Sequence, residues 1–220
     1  MDIRHILGPI DTALTTIGNR LTSRSQGHWP TSDEIENNKV KSLANRLKAG
    51  SYKETLTNIL EWQDRNIVFW IERWTISRVF IVSLGLTGAF VISFLMVPNS
   101  QILTWPIAMS VSSAITTSFI LVVLLKYVRK IPIWDGLKNV FAQSIPIDVL
   151  LENKLGICRD YAKLTACLLS NIYPDAKIYF AHGRDHTATG IMIENRLYML
   201  DQHLPILTVV SPGASSGALR

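Results

Sequence analysis

Gly156-Ile157-Cys158-Arg159-Asp160-Tyr161-Ala162-Lys163-Leu164 is the stretch from which the fold of this chain is read. A small residue and an Ile lead into a Cys. From there apolar residues recur at helical spacing as far as Ile172, with Leu164, Leu168 and Leu169 on the side to be buried. The spacing predicts a helix from Ile157 to Ile172 with Cys158 at its start. A thiol there faces backbone N–H groups and the positive end of the helix dipole, both of which lower its pKa. Such a Cys can equally be a small buried hydrophobe, so its reading depends on its downstream partners.

Beyond the helix, Lys177 to Ala181 alternates like a strand. Thr189 to Glu194 and Leu197 to Leu200 read as a hairpin turning at Asn195-Arg196. The order is helix, strand, strand, strand. His186 precedes the second strand and Asp201 ends the third, so the open end of the hairpin brings them side by side. Asp201 could then orient the His186 imidazole, and the imidazole could take a proton from Cys158. Backbone N–H groups at the helix start could hold an oxyanion. A lone His is commonly a polar loop residue, and an Asp at a strand end commonly caps a turn. The order and spacing of the three residues are what favour the chemical reading. His182 and His203 are further candidates for the base beside His186.

Those residues carry a resemblance. Cys158-Arg159-Asp160-Tyr161-Ala162-Lys163-Leu164, His186-Thr187-Ala188-Thr189-Gly190-Ile191 and Tyr198-Met199-Leu200-Asp201 together resemble the transglutaminase-like superfamily. The resemblance implies an α+β chain with a papain-like transglutaminase core. It also implies Cys158 as nucleophile, His186 as general base and acid, and Asp201 as orienter, with His182 ranking second to His186 and His203, which follows the Asp, not fitting the role; no cofactor or metal is expected. Tyr52 to Ile67 is similar to the helix that precedes the catalytic Cys in such proteins, which implies that the intervening segment is inserted within the catalytic domain. Thr187-Ala188 replaces the common Ala-aromatic pair after the His, and Gln202 replaces the usual Pro after the Asp. Gln143 and Trp134 are the candidates for an oxyanion-hole side chain.

The intervening segment is the second informative feature. From Val79 to Leu125 there is no Asp, Glu, Lys, Arg or His. Val79 to Val97 and Ile102 to Leu125 are each long enough to cross a bilayer, with Pro98-Asn99-Ser100-Gln101 as the turn between them. Trp105-Pro106 suits a membrane interface and an early helix position. The alternative is a pair of buried helices in a soluble core. Arg65, Arg73 and Arg78 precede the segment, and Lys126, Arg129 and Lys130 follow it. The positive-inside rule places both termini and the catalytic domain in the cytoplasm.

The remaining sequence sets the frame. The 220 residues carry 22 Lys and Arg against 17 Asp and Glu, a net charge of +5, but the basic residues form no long run. The charge therefore points to membrane topology and not to nucleic acid. The mean hydropathy of +0.21 reflects the charge-free segment. Cys158 and Cys167 are too few for a disulfide framework or a zinc site. Met1 to Ile10 lacks the continuous apolar core of a signal peptide. Residues 1–50 read as an N-terminal helical region. They hold a Gly8-Pro9-interrupted helix, lying on a partner or on the membrane, and a second helix from the Thr31-Ser32-Asp33-Glu34 caps toward Lys48. Residues 51–78 read as a core helix running on into the membrane, 79–125 as the hairpin and 131–210 as the catalytic domain. Residues 211–220 read as a flexible tail. The partners expected are the bilayer and a protein or peptide substrate. The competing function is a non-catalytic membrane scaffold that keeps the same fold.

Overall fold

A computed structural model describes residues 29–96, 104–140, 142, 144–182, 186–201 and 208–210. The N-terminal interrupted helix, the Pro98–Gln101 turn, Gln143, His203 and the tail lie outside the described residues. The chain separates into two compact units. The first comprises the described residues up to Phe69 and from Ser144 onward. The second is Trp70–Ala142, so the first unit is discontinuous in sequence.

The first unit opens with α1 (Ser32–Ile35) and α2 (Asn38–Leu47). Sequence predicts one helix here, and the structure breaks it at Glu36-Asn37. Thr31 and Glu34 form a capping box for α1, with Thr31 N–H on Glu34 Oε2 at 3.0 Å and Glu34 N–H on Thr31 Oγ1 at 3.3 Å. Asn37 then starts α2 afresh by accepting the Lys39 N–H at 2.9 Å. Ser51 caps α3 (Tyr52–Asn66), which buries Leu56, Ile59 and Leu60.

α3 does not run on into the apolar segment, contrary to the sequence expectation. The β-branched pair Ile67-Val68 turns extended, and Val68–Phe69 forms β1. Two contacts hold it there. The Tyr161 hydroxyl donates to the Ile67 carbonyl at 2.7 Å, and the Val68 N–H donates to the Lys154 carbonyl at 2.8 Å. β1 pairs in parallel with β2 (Leu155–Gly156), Phe69 opposite Gly156. The chain thus leaves the first unit beside the residues that precede Cys158.

In the second unit, α4 (Ile71–Met96) and α5 (Thr104–Val123) form the apolar pair, and one π-helical turn, Leu124–Val128, follows α5. Val79–Met96 and Thr104–Val128 are each long and apolar enough to cross a membrane, and only 6% of either window is buried. Ile92, Leu95, Met109, Ile115 and Phe119 stand open to the surroundings. A soluble core would bury such helices. Ser83 and Ser113 meet across the pair at 3.1 Å. At the base, Glu72 and Arg129 form a bidentate pair with both N–O distances 2.9 Å, and Arg73 donates to the Ala142 carbonyl at 2.7 Å. A short amphipathic helix, α6 (Ile133–Val140), packs Gly136, Asn139 and Val140 inward.

The first unit resumes with α7 (Ile147–Asn153), β2 and α8 (Cys158–Ile172). Lys154, at φ 55°, supplies the left-handed residue that ends α7. α8 is buried on nearly every side, with Leu164, Ala166, Cys167, Leu168 and Leu169 fully enclosed. The single buried side expected from its leucines understates this, because helices cover one flank and a sheet the other. That sheet is antiparallel, in the order β3 (Ile178–His182), β4 (Thr187–Ile193), β5 (Arg196–Leu200), β6 (Thr208–Val210). Thr189 on β4 donates to the Ala162 carbonyl at 2.7 Å and ties sheet to helix.

The β4–β5 turn falls one residue earlier than the sequence suggests. Glu194 and Asn195 both have positive φ, 49° and 62°, and Ile193 pairs with Arg196. This is the two-residue loop whose twist matches a hairpin. Asn tolerates the left-handed region and Glu is an uncommon occupant, so the sequence pointed to the wrong pair.

Candidate active site

Cys158 is the first residue of α8, after the extended Ile157. Gly156 precedes them at a place where a side chain would collide: a Cβ there would lie 2.8 Å from Leu150 Cδ1 and 3.2 Å from Asp160 Cβ. Across from the helix start, His186 immediately precedes β4 and Asp201 immediately follows β5. The register pairs Thr189 with Leu200, so the residues flanking the open end of this hairpin are neighbours. His186 Nε2 lies 2.8 Å from Asp201 Oδ1, with both side chains part-exposed. With Nε2 engaged by the carboxylate, Nδ1 is the ring nitrogen left to act as a base.

The backbone N–H of Thr187, the residue after His186, favours the thiolate of Cys158, as does the N–H of Arg159. The hairpin and the helix start therefore meet at this thiol. Among the described residues no hydrogen bond joins Cys158 directly to His186. Catalytic pairs are often loose without substrate. Of the other candidates, His182 closes β3 in register with Thr187. Trp134 is on α6 in the second unit, 82% exposed.

The thiol departs from the sequence expectation in one respect. Its pKa is raised, not lowered. Burial is the main cause. The Thr187 and Arg159 N–H groups and the Arg159 charge pull it down, and the Asp160 carboxylate adds to the rise. The sequence revealed the helix start but not that Cys158 would be only 7% exposed. Cys167, enclosed in mid-helix, is pushed up to about 12 by burial first and the Glu34 charge second, with only Lys163 opposing.

The Cys167 shift has a consequence for stability. A folded-state pKa above the unfolded value stabilises the fold below the unfolded value, and the benefit is lost as pH rises through the folded one. From an ordinary 9.0 to about 12, complete ionisation of Cys167 costs about 4 kcal/mol at about 1.4 kcal/mol per unit. Tyr161, also raised by burial, acts in the same direction. Denaturant midpoints should fall as pH rises above 9 toward 12. Cys167→Ala should flatten that fall, and an unchanged slope would contradict the assignment.

Asp160, which sequence reading passed over, is fully buried. Its Oδ2 accepts the Ile157 N–H at 2.9 Å and its Oδ1 the Ile145 N–H at 3.3 Å. Lys163 donates to Ser144 Oγ at 3.1 Å and to the Ile145 carbonyl at 3.0 Å, and pairs with Glu34 at 2.5 Å. An acidic residue in the first turn, three residues after the cap, is the signal that could have found Asp160.

Two archaeal proteins are similar to this chain. The UPF0252 protein MJECL39 of Methanocaldococcus jannaschii is 39% identical over 66 residues, 30% of this chain and 18% of that protein. A UPF0252 protein of Archaeoglobus fulgidus is 25% identical over 179 residues, 79% of this chain and 42% of that protein. The chain thus spans less than half the length of either relative. No solved structure matches it. The family described as "Transglutaminase-like domain" matches residues 38–211, running through the apolar pair as well as both parts of the first unit. With most of its length covered in this way, the chain belongs to the transglutaminase-like domain family.

Proposed function

We propose that this protein is a membrane-anchored thiol enzyme with a papain-like core that forms a thioester at Cys158. The observation that carries the reading is the meeting of α8 and the β4–β5 hairpin, where Thr189 donates to the Ala162 carbonyl at 2.7 Å, the Thr187 N–H favours the Cys158 thiolate and His186 is bound to Asp201 at 2.8 Å. In the reaction, His186 Nδ1 takes the thiol proton as the sulfur attacks an amide carbonyl carbon. Backbone N–H groups at the helix start take up the charge on the carbonyl oxygen. The C–N bond then breaks, with His186 returning its proton to the leaving nitrogen. Water or an amine resolves the thioester, making the enzyme a peptidase or amidase in one case and an acyltransferase in the other. Asp201 accepts the Nε2–H and so fixes the tautomer that leaves Nδ1 as the base.

The burial that raises the thiol pKa fits this order of events. A resting thiol that ionises only as His186 takes its proton avoids burying a bare thiolate. The same burial is also what a non-catalytic scaffold would have, and this is the observation favouring that second reading. A peptide-amide probe with a thiol-reactive warhead separates the two. Labelling of Cys158 that is lost in His186→Ala supports the enzyme, and labelling that ignores His186 supports the scaffold.

The two apolar helices serve as the anchor, with the bilayer as partner and a protein or peptide as substrate. Arg65, Arg73, Arg78, Lys126, Arg129 and Lys130 put both ends of the pair, and the site, on the cytoplasmic side. Reporter fusions after Leu47 and after Ile172 should both read as cytoplasmic. An external signal from either would reverse the topology and move the substrate to the cell envelope.

A further inference from the structure

We infer that Asp160 is a positioning residue for Cys158, holding the nucleophile in register with the His186 hairpin; this rests on the catalytic reading of Cys158. The position is unusual for a carboxylate. It is fully buried, two residues from the thiol, and its charge opposes thiolate formation. On electrostatics alone a neutral residue would favour the nucleophile, so the carboxylate must act in another way.

Its hydrogen bonds show how. An Ile at the cap offers no side-chain acceptor to the first-turn N–H groups, so only the reciprocal half of a capping box is in place, in which the third helical residue accepts from the cap N–H. Asp160 reaches back to accept the Ile157 N–H at 2.9 Å. This holds the peptide that leads directly into Cys158. The second oxygen accepts the Ile145 N–H at 3.3 Å, and Lys163, one turn on, grips the Ile145 carbonyl at 3.0 Å. The first two turns of α8 thus hold the segment Ser144-Ile145 from both its N–H and its C=O side. Gly156 is bare where the Asp160 Cβ would otherwise be displaced, at 3.2 Å from a Gly156 Cβ. Without the Asp160 contacts Ile157 can rotate, and Cys158 loses its fixed place at the helix start opposite the His186 hairpin.

The experiment uses a double-mutant cycle on the full chain in detergent. It reads the alkylation rate of Cys158 by iodoacetamide, site by site, by mass spectrometry. In the Asp160 wild type, His186→Ala should slow Cys158 by about tenfold or more. In an Asp160→Ala background the same His186→Ala change should alter the rate by less than about twofold, because the pair is no longer aligned. A role confined to fold stability would lower the melting temperature and leave the tenfold dependence intact, which overturns the proposal. Asp160→Asn keeps the volume and one acceptor and serves if Asp160→Ala does not fold; it should leave an intermediate dependence. Asn retaining the full wild-type dependence overturns the proposal. If the wild type itself shows no His186 dependence, the triad reading fails and this role falls with it.

Discussion

Cys158→Ala is expected to abolish covalent capture of an amide-mimic probe, and His186→Ala to slow it by about 10²-fold or more, the usual contribution of a general base. Asp201→Asn should slow capture by a smaller factor, since it removes an orienting acceptor and not the base. None of the three should unfold the protein. His186 and Asp201 are part-exposed and add little core volume, and Cys158→Ala removes only a sulfur. Parallel thermal melts and timed labelling check both halves. Capture undiminished in His186→Ala would remove His186 from the base role and support the non-catalytic scaffold.

The second large effect concerns the base of the apolar pair. Arg129 donates two hydrogen bonds of 2.9 Å to the Glu72 carboxylate, with the Glu72 and Arg129 side chains 5% and 19% exposed. Removing either partner leaves a mostly buried charge uncompensated. Glu72→Ala should therefore destabilise the protein by about 3–5 kcal/mol. Replacing both residues with apolar ones of similar volume should recover most of that loss, because the desolvation cost disappears with the charges. Melting temperatures of the detergent-solubilised variants test it. A double variant no better than the single one would mean the pair is a positive source of stability and not a compensated cost.

The features legible in the sequence were those that rest on local pattern. The start of α8 at Cys158 follows from the small-residue entry and the helical spacing beyond it. The two long apolar helices follow from the absence of charge between Val79 and Leu125. The placement of His186 and Asp201 at adjacent ends of a hairpin follows from strand alternation alone. The features missed were set by distant contacts. Residue 67 turns extended because Tyr161, far along the chain, donates to its carbonyl, and no local signal stops α3 there. The Glu194-Asn195 turn is fixed by pairing on both strands, against the preference of Glu. The direction of the Cys158 pKa depends on how deeply a neighbouring sheet buries the helix start, which periodicity does not report. The local capping pattern marks Asp160, but its link to Ile145 was hidden for a related reason, since that partner is brought in by tertiary folding.

The competition between the two cysteines tests the central claim most directly. Both are buried thiols on one helix. Cys158 has two backbone N–H groups and the Arg159 charge to favour its thiolate, and His186 on the adjoining hairpin. Cys167 has only Lys163 in its favour against burial, and its pKa stands at about 12. Timed alkylation of the folded protein at neutral pH, read site by site by mass spectrometry, should modify Cys158 well before Cys167. Equal rates at the two thiols, or a faster Cys167, would contradict an activated nucleophile at Cys158 and leave the scaffold reading in its place.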